Sequence, residues 1–267
     1  MRIAFSPCPN DTFVFHALVH GLVPGAPELD VTFADVDVTN TAALDGRFDL
    51  VKVSYAALPW LLDAYELLPC GGALGRGCGP LLLTAGRGDI SGATVAVPGD
   101  RTTAYLLFRL WAAQTGQVPG RIEVVPFHEI MPGVAAGRYD AGLVIHEARF
   151  TYQRFGLTSL VDLGEWWEGD TGLPIPLGAI LAKRGTVDAA AATEWIRTSV
   201  RAAWADPEAS RAYVLAHAQE MEPAVVDQHI KLYVNDFTED LGADGLAAAR
   251  ALLHRAAAEN LVPPVDL

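Results

Sequence analysis

The sequence predicts an α/β protein built from two similar lobes that close on a ligand cleft. Short apolar runs alternate with helical stretches along most of the 267 residues. One phrase also occurs twice: residues 46–54 read GRFDLVKVS and residues 137–145 read GRYDAGLVI. Two segments rich in glycine or proline, 85–92 and 173–178, are typical of chain crossings between lobes. Such crossings indicate a hinge-bent architecture in which the first lobe is discontinuous.

The repeated phrase has two interpretations. In an internal repeat, each copy is a turn followed by a buried strand, and Ser54 and His146 lie at corresponding strand ends across the cleft. Chance similarity is the alternative, because the match is short. In either case a buried strand of an α/β protein presents its carboxyl end to the ligand crevice. This places His146 at the lip of a cleft.

Composition and charge limit the class of ligand. Hydrophobic residues make up 51% of the chain and charged residues 19%, so a sizeable core is available for one large or two modest domains. The chain has 19 basic and 32 acidic residues, a formal net charge of −13. Nucleic-acid binding needs clustered basic residues, and the sequence has no such cluster. A small anionic substrate remains compatible, because a few local donors can hold it.

Cysteine usage and hydropathy indicate the compartment. The three cysteines, Cys8, Cys70 and Cys78, are odd in number and form no CxxC motif. We therefore expect neither a disulfide framework nor a structural zinc site, and no metal or other cofactor. The N-terminus MRIAFSPCPN does not resemble a signal peptide, and no apolar run reaches the roughly 18 residues of a membrane helix. These features predict a soluble, cytoplasmic protein.

The first lobe begins with a strand at 2–5 and a polar loop, SPCPNDT. Asn10, Asp11 and Thr12 are good helix N-caps, and the following helix ends at Gly21. A strand, a polar loop and a helix N-terminus together form a geometry in which backbone N–H groups bind an anion. The alternative is a capped turn that binds nothing.

A strand at 30–38, a short helix at 39–44 and the strand LVKVS follow. Lys52 is unusual within such a strand. It is either an edge residue that extends into solvent or a cleft residue beside Ser54. Ser54 is then the N-cap of a helix at 55–62.

The segment 67–84 is rich in glycine but has neither GxGxxG after a strand nor the Gly-Lys-Ser/Thr of a Walker loop. We therefore exclude dinucleotide and nucleoside triphosphate sites. The glycines predict turns that let the backbone pass close to a ligand or another strand. A strand at 80–84 precedes the first crossing.

The second lobe repeats the strand–loop–helix pattern. A strand at 94–97 leads into PGDRTTA, and Thr102 and Thr103 stand at the N-terminus of an apolar-faced helix. A strand at 122–126 and a helix precede the strand that ends at His146. Glu147 follows at once, but neighbours on a strand point to opposite sides, so we expect only His146 to face the ligand.

The remainder is mainly helical. Residues 149–163 predict a helix and turn, and the aromatic segment 165–168 is either a lid or a packing element. The second crossing is followed by a strand at 179–182. Four helices close the chain: 189–205, 210–217, 223–234 and 243–260. We expect a large lobe of 1–87 with 176–267 and a small lobe of 88–175.

Several blocks resemble the 1,4-dihydroxy-6-naphthoate synthase family of the futalosine pathway of menaquinone biosynthesis. The blocks, spread over essentially the whole chain, are SPCPNDTFVFHAL, KVSYAALP, GGALGRGCGPLL, PGDRTTAYLL, VIHEARFTY and HIKLYVNDFT. The resemblance implies a type II periplasmic-binding-protein-like fold used as a cytoplasmic enzyme. It implies a lyase that converts cyclic dehypoxanthinyl futalosine to 1,4-dihydroxy-6-naphthoate and releases dihydroxyacetone. The related chorismate dehydratase and a non-catalytic carboxylate-binding protein are the alternatives.

The resemblance also assigns roles to residues. The histidine of the IHE block, His146, corresponds to the proposed catalytic base or nucleophile of the family. Without the resemblance, a lone histidine on an apolar strand is better explained as a core residue. A small anionic precursor of an aromatic product is the expected ligand. The residues expected to contact it are Ser6, Asn10, Thr12, Lys52, Ser54, Cys78, Thr102 and Thr103.

Overall fold

The computed structural model describes residues 1–218 and 222–267. Ten strands occur in this part of the chain. They are β1 (Arg2–Phe5), β2 (Asp30–Phe33), β3 (Leu50–Ser54), β4 (Tyr65–Gly75), β5 (Leu81–Thr84), β6 (Thr94–Val97), β7 (Arg121–Val124), β8 (Ala141–Val144), β9 (Thr158–Asp162) and β10 (Ile175–Lys183).

Helices cover the sheets. Two short 3-10 helices, Tyr55–Trp60 and Tyr152–Phe155, lie in the connections between strands. The α-helices are α1 (Pro9–Val19), α2 (Val36–Leu44), α3 (Thr103–Thr115), α4 (Phe127–Ala135), α5 (Ala148–Thr151), α6 (Leu163–Thr171), α7 (Ala189–Ala205), α8 (Pro207–His217), α9 (Pro223–Tyr233), α10 (Asp236–Glu239) and α11 (Gly242–Ala258). None of the helices described has both the length and the apolar character needed to cross a membrane.

The two five-stranded sheets have matching topology. Their orders are β2-β1-β3-β10-β4 and β7-β6-β8-β5-β9. In each sheet the first three strands pair in parallel, and the fourth strand pairs antiparallel with both the third and the fifth. The two copies of the repeated phrase therefore form the same central strand, β3 in one sheet and β8 in the other. The internal-repeat interpretation is confirmed.

The central strands are buried because they have partners on both sides and helices on both faces. All residues of β3 and β8 are buried. A strand covered on both faces is expected to be a continuous apolar run, as LVKVS and AGLV nearly are. Lys52 is the exception, and its side chain is only 7% exposed. The edge-residue interpretation of Lys52 is therefore wrong.

The first crossing lies earlier than the sequence indicates. Strand β5 pairs with β8 and β9, so the chain changes sheet between Gly75 and Leu81 rather than within 85–92. This pairing joins segments that are far apart in the chain, such as Leu81 with Val144 and with Asp162, which local sequence patterns do not report. The second crossing leads directly into β10, which pairs with β3 and β4. The lobe bounds 1–87, 176–267 and 88–175 stay a prediction, and this pairing favours an earlier first boundary.

The glycine-rich segment is mostly strand rather than turns, because β4 continues to Gly75. Its glycines do bring backbones close together. A Cβ on Gly72 would lie 2.5 Å from the carbonyl oxygen of Gly178 in the neighbouring strand. The register of β4 against β10 shifts at this point, which is typical of a bulge.

Other boundaries also differ from the predicted ones. The second strand ends at Phe33, because α2 already begins at Val36. Helix α1 begins at Pro9, since proline is well suited to the first helical position. Strand β9 lies where a helix and turn were predicted, and helices α6 and α10 were not predicted. In the aromatic segment Trp167 is fully buried and its indole donates to the carbonyl of Pro174, so this segment is a packing element.

Candidate active site

A cavity lies between the two sheets. A cleft between two lobes is a common place for a small-molecule site. Loops after the strands of both sheets line it, together with α9 and the N-termini of α1 and α3. Seven of the eight predicted binding residues line this cavity, as does His146. They are Ser6, Asn10, Lys52, Ser54, Cys78, Thr102 and Thr103.

Thr12 is the exception. It is fully buried in the first turn of α1, and its hydroxyl donates to the carbonyl oxygens of Cys8 and Pro9. The helix begins at Pro9, so Thr12 lies within it instead of capping it. We therefore no longer assign Thr12 to the binding set.

An ion pair between Asp11 and Lys52 forms one wall of the cavity. Both side chains are buried. The Asp11 carboxylate also accepts hydrogen bonds from the hydroxyl and backbone N–H of Ser6, at 2.7 and 3.3 Å, and from the Asn10 amide at 2.8 Å. Charge-assisted bonds of this kind are the strong ones. The sequence-based reading of Asp11 as a helix cap is thus replaced by a counter-ion role.

Asn40, which the sequence analysis missed, holds Ser54. Its amide oxygen accepts the Ser54 backbone N–H at 2.8 Å, and its amide nitrogen donates to the Ser54 hydroxyl at 3.1 Å. The same amide donates to the carbonyl of Arg101 in the other lobe at 3.3 Å. The Ser54 side chain does not cap the following 3-10 helix. Its hydroxyl is instead held at the cavity wall by Asn40.

Thr102 and Thr103 place the N-terminus of α3 at the cavity. Thr102 is the N-cap, and its hydroxyl accepts the N–H of Tyr105. The hydroxyl of Thr103 accepts the N–H of Ala56 at 3.2 Å and donates to the carbonyl of Leu177 at 2.8 Å. It therefore links both lobes. The first N–H groups of a helix have no carbonyl partner within it, so this end of α3 can hold an anion.

His146 lies just beyond the end of β8, with a left-handed backbone at φ 54°. A non-glycine residue in this conformation stores roughly 1 to 3 kcal/mol and is often found at functional sites. Burial lowers the pKa of His146 to about 4; Asp11 opposes this shift, and Lys52 adds to it. The imidazole is therefore neutral near pH 7, as a proton acceptor must be.

Cys8 and Glu147 lie beside His146. The Cys8 sulfur is 3.3 Å from the His146 Nδ1 atom. Glu147 is only 8% exposed. Strand alternation does not apply to His146 and Glu147, because β8 ends at Val144 and Glu147 begins a short helix turn. The expectation that only His146 of the two faces the cavity nevertheless agrees with the cavity lining. Donor atoms of these three residues all lie within 4.8 Å of one another.

This group has the composition of a small metal site, but we assign no metal to it. Burial, followed by the charge of Glu147, raises the pKa of the Cys8 thiol well above its usual value. The expectation of a metal-free and cofactor-free protein stays a prediction.

His229 and Tyr233 of α9 are further residues that the sequence analysis did not select. They are four apart, so both face the cavity side of the helix. The rings of His229 and His146 are nearly parallel, with centroids 6.3 Å apart. The Nε2 atom of His229 lies 3.0 Å from the Asn10 amide oxygen. Tyr233 lines the cavity, and its burial raises the pKa of the phenol. The sequence signal that could have identified them is a histidine and a tyrosine four residues apart in HIKLY.

Cys78 lines the cavity as a neutral thiol. Its burial raises the thiol pKa to about 12, and Glu168 adds to this shift. The cavity wall thus carries one buried ion pair and otherwise neutral groups.

A protein-family model described as menaquinone biosynthesis matches residues 1–258. The chain belongs to this menaquinone-biosynthesis family. It is 67% identical over 270 residues to a Streptomyces coelicolor protein named 1,4-dihydroxy-6-naphthoate synthase, covering 98% of this chain and 95% of that protein. It is 48% identical to a Thermus thermophilus protein of the same name, covering 99% and 96%.

Solved structures agree with the fold of this family member. A crystal structure of an Archaeoglobus fulgidus protein has a TM-score of 0.91 and 29% identity, and the match covers 98% of each chain. The alkanesulfonate-binding protein of Xanthomonas axonopodis has a TM-score of 0.76 and 16% identity, covering 99% of this chain and 94% of that protein. The chain therefore has the periplasmic-binding-protein fold, and its cavity lies between the two sheets of that fold.

Proposed function

We propose that the protein is a 1,4-dihydroxy-6-naphthoate synthase acting in the cytoplasm. It converts cyclic dehypoxanthinyl futalosine to 1,4-dihydroxy-6-naphthoate and releases dihydroxyacetone. Two relatives of that name, similar over almost their whole length, support the proposal. The structural observation that carries it is a neutral histidine at the wall of a cavity that also offers anion-binding donors. A chorismate dehydratase or a non-catalytic binding protein is not favoured by these relatives.

The substrate carboxylate binds where backbone and side-chain donors converge. The N-terminus of α3 at Thr103 offers N–H groups and the positive end of a helix dipole. Lys52 supplies a cation nearby, and Asp11 largely neutralises it. One dianionic or bulky anionic ligand would be held less well than a single carboxylate. This arrangement matches an aromatic monocarboxylate.

His146 removes a proton from a substrate carbon. Aromatisation requires this proton removal and the cleavage of a carbon–carbon bond that frees the three-carbon fragment. The low pKa of His146 keeps the imidazole unprotonated before the substrate binds. An anionic substrate beside the ring favours the imidazolium that forms when the proton is taken. General-base catalysis of this kind contributes about 10²- to 10⁴-fold.

The two lobes exclude water from the reacting groups. Thr103 of the second lobe bonds to Ala56 and Leu177 of the first lobe. Asn40 of the first lobe bonds to the carbonyl of Arg101 in the second. A closed cavity strengthens the electrostatic interactions within it and protects reactive intermediates from hydrolysis. Ligand entry requires these contacts to open, as in hinge-bending proteins.

A substrate panel tests the proposal. Purified protein is incubated separately with cyclic dehypoxanthinyl futalosine and with chorismate, and the products are followed by mass spectrometry. We expect naphthoate and dihydroxyacetone in equal amounts from the first substrate and no reaction with the second. Dehydration of chorismate would support the alternative enzyme. Binding of either compound without turnover would support a binding protein.

A further inference from the structure

The two ring nitrogens of His146 lie in different surroundings. Nδ1 is 3.3 Å from the sulfur of Cys8. Cys8 is 3% exposed and does not line the cavity, whereas His146 does. Nδ1 therefore faces a buried thiol, and Nε2 is the nitrogen left for a ligand in the cavity.

Cys8 occupies a position where another residue type is usual. It is the N-cap of α1, where Ser, Thr, Asp and Asn are preferred because their oxygens bond the first-turn N–H groups. Its thiol makes no such bond. Its backbone is nevertheless fixed, since its carbonyl accepts from the N–H groups of Asp11 and Thr12. The thiol is thus held by the start of a helix while facing a histidine from the other lobe.

The charges around Cys8 decide which group donates in this contact. Carboxylates of Glu147, Asp11 and Asp35 all act on the thiol, and the donor atom of Glu147 lies within 4.8 Å of the sulfur. This negative potential favours an N–H, with its positive end towards the sulfur, on the nearest ring nitrogen. It disfavours a lone pair there. This potential therefore favours a proton on Nδ1 of the neutral ring.

We propose that Cys8 is a positioning residue whose sulfur accepts the Nδ1–H of His146 and holds the imidazole in the tautomer with an unprotonated Nε2 towards the cavity. In a neutral imidazole only one nitrogen carries a proton, and the partner of the other nitrogen sets which one. The contact thus prepares Nε2 to accept a proton.

This inference deepens the proposed function, and its catalytic consequence rests on that function. Cys8 is not itself a nucleophile here. Burial, followed by Glu147, raises the pKa of the thiol, and burial lowers the pKa of His146, so the pair is neutral and not a thiolate–imidazolium pair. The thiol acts through His146, as a carboxylate does in a serine–histidine–aspartate triad.

Nitrogen-15 NMR of histidine-labelled protein tests the tautomer without substrate. The signals of His146 are those lost in His146→Gln, which separates them from the other six histidines. We expect the wild-type spectrum near pH 7 to show the Nδ1–H form. In Cys8→Ala we expect a shift towards the Nε2–H form. Cys70→Ala is the matched control, because Cys70 is also buried but bonds to Thr193 instead.

Steady-state kinetics supplies the second readout. We expect kcat of Cys8→Ala to fall roughly tenfold or more, with KM within about twofold, because the base is mispositioned while the binding donors remain. Cys70→Ala should keep both values. An Nε2–H form in the wild type, or an unchanged tautomer in Cys8→Ala, overturns the inference whether or not the variant is active. Failure of the wild type to form naphthoate instead overturns the proposed function alone.

Discussion

Removing the Asp11 carboxylate should destabilise the protein more than any other single change at the cavity. In Asp11→Ala the Lys52 ammonium loses its counter-ion, and three hydrogen-bond donors from Ser6 and Asn10 lose their acceptor. Removing one partner of a buried ion pair typically costs about 3 to 5 kcal/mol. We expect a loss of this size in the free energy of unfolding, because both side chains are buried.

The opposite change should cost less. In Lys52→Met the Asp11 carboxylate keeps its donors from Ser6 and Asn10, so it remains largely satisfied. We expect a loss of about 1 to 3 kcal/mol. The double variant leaves no stranded charge, and its cost should be smaller than the sum of the single costs by about 2 to 3 kcal/mol.

Urea unfolding at pH 7, followed by tryptophan fluorescence, measures all three variants. Asp63→Ala is the control, because Asp63 is exposed and should change stability by less than about 0.5 kcal/mol. A coupling energy below about 0.5 kcal/mol would refute the view that the two charges depend on each other. A Lys52→Met variant less stable than Asp11→Ala would refute the proposed asymmetry.

Three further predictions concern strand packing, acid stability and lobe contacts. Gly72→Ala should lower the free energy of unfolding by roughly 1 to 3 kcal/mol, because its Cβ would lie 2.5 Å from a backbone oxygen. The control is Gly169→Ala, at a helical glycine with open space around it, which should be neutral or stabilising in the same unfolding assay. The folded-state pKa of His146 is about 4 against 6.5 in the unfolded chain, so the unfolded state binds more protons in this range and stability should fall as pH decreases from about 6.5 to 4. His146→Ala should flatten that part of the pH–stability curve by up to roughly 3 kcal/mol, and an unchanged curve would contradict the shift. Thr103→Val should lower kcat/KM for the futalosine derivative about tenfold, because the variant lacks the hydroxyl that bridges the lobes. Unchanged kinetics would show that this hydroxyl does not contribute to catalysis.

Much of the fold follows from local patterns. The repeated phrase placed β3 and β8 correctly, because a turn followed by an apolar run specifies a buried strand regardless of context. The same phrase placed Ser54 and His146 at one cavity, since the two sheets share a topology. Helices α7, α8, α9 and α11 were also predicted, with small errors at their ends.

The features of the fold and the site that the sequence did not predict depend on contacts between distant segments. Strand β5 belongs to the second sheet because of pairing with β8, and no local signal reports that pairing. Glu147 was correctly kept out of the cavity lining, but the reason was strand alternation, which does not apply after the strand has ended. The partners of His146 come from the start of the chain, Cys8, and from near its end, His229. Only the fold brings these residues together.

The most direct test of the central claim compares His146→Gln with the wild type on cyclic dehypoxanthinyl futalosine. Turnover is measured by naphthoate formation, and affinity by calorimetry with the product. We expect kcat to fall by about 10²- to 10⁴-fold while the dissociation constant changes by less than about threefold, because the base is lost and the binding donors remain. His20 is the exposed C-cap residue of α1, and His20→Gln should behave as the wild type. Full activity in His146→Gln would contradict the assignment of His146 as the base.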